Sequence, residues 1–138
     1  MANEALVAAV KQIMTLAKTG KTDEAYEGYR ALFSSPEFAT YTPGEQRQAL
    51  KLLLAFKVPP HMPAKSIVEA ARAAVVPLTE LVSQHNDPAD YELLGIAHCV
   101  AGNEAAAGNI FKAGLDLERS RDPGSNLCGS LMKWVSAV

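Results

Sequence analysis

His98 and Cys99 stand side by side, and a histidine next to a thiol is the pairing from which cysteine nucleophiles are activated. In a helix that adjacency works against the chemistry. Neighbouring residues project about 100° apart, and only residues three or four apart share a face. The other groups that could bind a metal or move a proton, His61, His85 and Cys128, show none of the short paired spacings that bring ligands to one centre. Asp116 and Glu118 are two apart and diverge, so paired-carboxylate chemistry has no seat there. The chain also carries no phosphate-binding loop, dinucleotide fingerprint or G-x-S-x-G elbow. No catalytic residue, metal or cofactor is expected, and an enzyme would have to assemble its site from scattered residues such as His98, Arg47 and Glu92. Arg47 and Lys51 are four apart and share a helix face, offering a basic spot for an acidic side chain or a C-terminal carboxylate. The competing reading of that pair is a solvated face.

Composition narrows the class further. At 138 residues, 49% hydrophobic and 20% charged, the chain can bury a core without disulfides, and its net charge of −2 argues against disorder and against nucleic acid as a partner. No stretch reaches the 18 or more uncharged apolar residues of a membrane span, and residues 1–10 lack a basic leader region, so a cytoplasmic protein is expected. Cys99 and Cys128 fall within helix-like segments and are read as reduced, packed thiols.

Helical stripes recur between loops of Gly, Pro and Asn, and strand signals are weak, so the chain is read as all-α with seven helices. The first, residues 3–18, carries Leu6, Val10, Ile13 and Ala17 on one face and stops at Gly20; Thr22 or Asp23 caps the second, whose stripe is Ala25, Tyr29, Leu32 and Phe33. Thr42, Pro43 and Gly44 open a third helix rich in leucine, expected to lie centrally, and the prolines at 59, 60 and 63 make residues 57–63 a stiff connection. Residues 64–84 keep one stripe in phase through Pro77, which predicts a kinked single helix; a break at Val76 is the alternative. Asp87 and Pro88 open the fifth helix, Gly102 closes it, Asn103 caps the sixth, and Asp122, Pro123 and Gly124 lead to a seventh at 125–137. Trp134 is expected to anchor this last helix.

Within residues 91–119, Tyr91, Leu94, Gly95 and His98 are followed by Gly102, Ala107 and Phe111, a spacing that resembles the tetratricopeptide repeat. Tyr91 stands where the family has Trp, and His98 where it has Tyr. Gly20, Ala25 and Tyr29 repeat the spacing of Gly102, Ala107 and Phe111 at a distance of 82 residues, although Gln12 and Ile13 stand where Leu and Gly would be expected. The resemblance implies one domain: a short solenoid of three antiparallel helix pairs, about 3–35, 43–84 and 88–120, with a capping helix at 125–137. The long middle pair departs from the family pattern, and a HEAT-like or irregular array is the alternative.

The same resemblance implies a groove lined by helices one, three and five. Its residues would be Val7, Val10, Met14, Ala17 and Lys18 on the first helix, Arg47 and Lys51 on the third, and Glu92, Ile96, Cys99 and Val100 on the fifth. Ordinary core is the competing reading of these stripes. Val10, Met14 and Ile96 occupy positions where some relatives carry a carboxylate clamp, so an apolar or amphipathic peptide or helix of a partner protein is the expected occupant. The expected function is therefore an adaptor, of which a secretion-type chaperone for an apolar client is one version. A domain that self-associates through its third helix or the Trp134 helix is the rival.

Overall fold

The computed structural model describes residues 3–56 and 58–138, so the first residue of the expected proline connection lies outside the described residues. Among them the chain forms seven α-helices and no strand: α1 (Glu4–Lys18), α2 (Thr22–Ser34), α3 (Pro43–Leu53), α4 (Lys65–His85), α5 (Pro88–Val100), α6 (Glu104–Arg121) and α7 (Asn126–Ala137). A 3₁₀ turn at Pro36–Thr40 is an element that the helical periodicity did not announce.

Most helices begin where a side chain can satisfy a free backbone N–H. Asn3 Oδ1 accepts from the Leu6 N–H at 3.1 Å and starts α1. Thr42 and Glu45 form a reciprocal capping box at α3, with the Thr42 hydroxyl accepting from the Glu45 N–H and the Glu45 carboxylate accepting from the Thr42 N–H. That carboxylate also accepts from the Asn3 N–H, tying the start of α1 to the start of α3. These bonds, the one from Thr42 first, hold the Glu45 carboxyl below its ordinary value. Asp87 and Ser125 cap α5 and α7.

α2 and α6 depart from the cap expectation. Thr22 is already helical, and neither Lys21 nor Asn103 makes a side-chain cap bond. Both helices are launched instead from a glycine turn. Gly20 and Gly102 have φ of 83° and 89°, a left-handed geometry open to glycine at no steric cost, and the next N–H reaches back to a carbonyl in the last turn of the preceding helix. Lys21 bonds Leu16 at 2.9 Å and Asn103 bonds His98 at 2.8 Å.

Packing runs α1 on α2, α2 on α4, α4 on α5, α5 on α6 and α6 on α7. The middle of the molecule is therefore α4, and the expectation that the third helix lies centrally is corrected. The physical reason is side-chain size. Ala70, Ala71 and Ala74 are fully buried on α4 and let α2 and α5 approach it from either side, whereas α3 buries one face through Ala49, Leu50 and Leu53 and leaves Leu52 45% exposed. α4 runs unbroken through Pro77, because Leu78 and Leu81 continue the buried face.

Candidate binding grooves beside α3

α3 rests lightly on α4 and α5, and a concavity opens on each side of it. The larger, about 970 Å³, lies between α3, α5 and α7. Buried Leu54, Leu93, Ile96 and Trp134 lie beneath it, the half-buried Phe56, Ala89 and Leu127 give it its accessible apolar surface, and Lys51 on α3 and Lys133 on α7 stand exposed. Glu92 also lines it, but its carboxylate accepts from the Ser130 hydroxyl, which spends part of the only acidic group among the described residues of the lining. The wall residues thus give a wide apolar channel with two free ammonium groups.

The smaller trough, about 170 Å³, lies between α1 and α3 and is lined by Leu6, Val7, Val10, Ala49 and Leu52 with Lys11 and Gln48 at its edges. Val7 is 37% exposed and Leu52 45%, so this trough holds apolar surface that the fold has not buried. Met14, 41% exposed, continues the same face along α1 beyond the trough, and Lys18 is exposed at that helix's end.

Arg47 sits between the two concavities and is corrected from a free basic spot to a structural one. Its Nε and Nη2 donate to the two carboxylate oxygens of Asp90, each at 2.8 Å, and Asp90 is completely buried. The hydrogen bonds to Asp90 raise the Arg47 pKa, although partial burial opposes them. A buried, bidentate pair of this kind costs about 3–5 kcal/mol to break from one side, because the surviving charge is left without a partner. Arg47 is therefore the clamp that fixes α3 to α5, and Lys51, one turn on, is the cation that remains for a ligand.

The residues expected to share one groove are thus divided. Lys51, Glu92 and Ile96 come together beside α7; Val7 and Val10 come together beside α1; Met14 and Lys18 lie on the outer face of α1. Cys99 and Val100 are buried in the core, and burial raises the Cys99 thiol pKa further from its reactive form. Lys133 and Leu52 went unnamed from sequence. Their only signal is a polar or leucine position off the main stripe, which the helical period alone assigns to solvent.

Cys99 and Cys128 are free, buried thiols, and among the described residues no three of His, Cys, Asp and Glu are placed to hold a metal ion. His98 borders a hollow with Arg72, Val75 and Asn103, and burial lowers its pKa. Among the described residues no helix is long and apolar enough to cross a membrane. Set against protein-family models, curated proteins and solved structures, the chain matches none of them.

Proposed function

We propose that this chain is a tetratricopeptide-like protein-binding module that holds an acidic amphipathic segment of a partner in the channel between α3, α5 and α7. The observation that carries the reading is the pairing of a half-buried apolar lining, Phe56, Ala89 and Leu127, with two exposed lysines, Lys51 on α3 and Lys133 on α7. A helix or extended segment with an apolar stripe would bury that stripe against the lining, and acidic flanks would meet the two ammonium groups. The repeat reading draws support from two glycine turns of matching geometry, 82 residues apart, each followed by a buried alanine and a buried aromatic: Ala25 with Tyr29, and Ala107 with Phe111.

Titrating the labelled protein with two leucine-striped helical peptides, one with glutamate and one with lysine on its polar face, tests the proposal by backbone resonance shifts. The glutamate peptide should move the signals of Lys51, Ile96 and Lys133, and the lysine peptide should leave them unmoved. In a Lys51→Glu, Lys133→Glu variant the preference should invert. Equal binding of both peptides, or shifts confined to another face, rejects the channel.

A second reading, self-association, is favoured by the exposed Val7, Met14 and Leu52 on α1 and α3. Trp134 takes no part in it, because that ring is buried and stacks on Phe111 at 5.2 Å. Sedimentation over a hundredfold concentration range decides it, and a constant monomer mass removes it.

A further inference from the structure

On α2 and the middle of α4, remote from the channel just described in sequence and lined by none of its residues, lies a groove of about 660 Å³. Its aromatic side comes from the end of α2 and the 3₁₀ turn: Phe33 and Phe38 meet edge to face at 5.2 Å, and Phe38 meets Tyr41 the same way at 5.8 Å. The opposite side is α4, from Ala73 to Gln84.

Ser34, Ser35, Gln84 and the Tyr41 hydroxyl line the groove and can both donate and accept, whereas three further groups there are acceptors without a donor of their own to offer. Gln46 is only 8% exposed; its Nε2 donates to the Tyr41 carbonyl at 2.9 Å, and its Oε1, which accepts from no donor among the described residues, is open to the groove rather than sealed in the core. Pro77 has no N–H, so the Ala73 carbonyl, also on the groove wall, loses its helical donor. Glu80 is the only charged residue in the lining. An amide oxygen open to the groove, a main-chain carbonyl freed from its helix and a carboxylate are all acceptors, and the half-buried Tyr41 ring lines the same groove. A ligand that fits must be rich in donors, positively charged and content to lie against a π face. Guanidinium meets all three demands, with five N–H groups in a plane that stacks on aromatic rings.

We propose that this groove is a binding site for an arginine side chain presented by a partner polypeptide. Gln46 Oε1, the Ala73 carbonyl and the Glu80 carboxylate receive the guanidinium N–H groups, and the half-buried Tyr41 ring lies against its plane. Lysine fits less well, since a compact ammonium cannot spread its donors over separated acceptors. Citrulline keeps the planar shape without the charge, which separates charge recognition from shape.

The test uses three capped tripeptides, Ala-Arg-Ala, Ala-Lys-Ala and Ala-citrulline-Ala, titrated into the labelled full chain. The arginine peptide should shift the Gln46 side-chain amide and the backbone signals of Val76 and Glu80, with affinity at least fivefold above that of the other two peptides. Glu80→Gln should cost about tenfold in that affinity, a change of about 1.4 kcal/mol. Pro77→Ala is the second variant: it restores the helical donor to Ala73, leaves the fold intact, and should weaken arginine binding severalfold. Equal affinity for arginine and lysine, shifts confined to the channel beside α7, no shifts at all, or indifference to both substitutions would each overturn the proposal.

Discussion

The pair α1–α2 and the pair α5–α6 solve one packing problem with the parts exchanged. In α5–α6 the hole is on the first helix and the knob on the second. A Cβ added at Gly95 would lie 2.4 Å from the Phe111 ring, so that ring occupies the space a side chain would need. In α1–α2 the knob is on the first helix. Ile13 stands at the position equivalent to Gly95, and its Cγ1 fills the space over Gly28 of α2, where an added Cβ would lie 2.7 Å away. The exchange explains why the repeat pattern reads clearly over residues 91–111 and faintly over the first pair. What the two pairs share is a small residue opposite a large one; which helix supplies which is free to change.

Truncating the two knobs should give the largest effects and separate the pairs. Phe111 packs on Gly95 and stacks on Trp134 at an interplanar angle of 13°, so it links α5, α6 and α7. Phe111→Ala should cost about 4–5 kcal/mol, the upper end for an aromatic truncation, because the cavity opens among three helices and cannot collapse. Ile13→Ala should cost about 2–3 kcal/mol, since α1 packs chiefly on α2 and can settle inward. Urea denaturation of both variants reads the difference, and equal costs would mean that the two pairs are equally embedded.

Filling the holes comes next in size. Gly95→Ala gains about 1 kcal/mol of helix propensity, yet it drives a methyl group into Cε1, Cδ1 and Cζ of a ring already held by Trp134. Overpacking of about 1–3 kcal/mol should outweigh that gain and leave the variant net destabilised by up to about 2 kcal/mol. Chemical denaturation against the wild type gives the sign.

The helices were legible from their periods and punctuation. The cap at Thr42, the stop at Gly102 and the uninterrupted stripe through Pro77 all rest on local rules, and the structure keeps them. What stayed illegible depends on partners far apart in sequence. Asp90 reads as an ordinary first-turn acidic residue, and only the approach of α3 turns it into the buried acceptor of Arg47. The leucines of α3 read as a core, whereas the alanines of α4 decide which helix the others can approach. Cys99 and Ile96 fell on a predicted groove stripe, but α5 is covered on nearly all sides, with Leu93, Leu94, Ile96, Ala97, Cys99 and Val100 all buried, and a period alone cannot tell which stripe is left open.

Gly28 offers a smaller and sharper test than Gly95. Its substitution by alanine meets a single aliphatic branch instead of a wedged ring, so Gly28→Ala alone should lie within about 1 kcal/mol of the wild type, the clash offsetting the helix gain. In an Ile13→Ala background the clash is gone, and the same substitution should become stabilising by about 0.5–1 kcal/mol. A double-mutant cycle measures that change of sign. Strict additivity would show that Ile13 is not the knob over Gly28.

The smallest expected effect is a dependence on pH that belongs to one turn and not to the other. Leu16 and His98 occupy equivalent places, each giving its carbonyl to the N–H that follows the turn glycine. Leu16 carries no proton. His98 is held below its ordinary pKa by burial, so the unfolded chain takes up the proton first as pH falls. The stability linked to His98 is therefore fully present above an unfolded value of about 6.5 and is lost progressively as pH drops from there toward the lower folded pKa. Carboxylates that are held low, such as Glu37 and Glu45, act in the same direction but only in more acid solution, below their ordinary range. His98→Leu, which copies the first turn into the second, should leave stability at pH 8 nearly unchanged and flatten its fall between pH 7 and pH 5. Leu16→His should import a slope of the same sign into the first turn, since Leu16, like His98, is half-buried. Thermal melts of the three proteins across that window compare the turns directly. A wild-type slope that survives in His98→Leu would show that His98 is not the group that carries it.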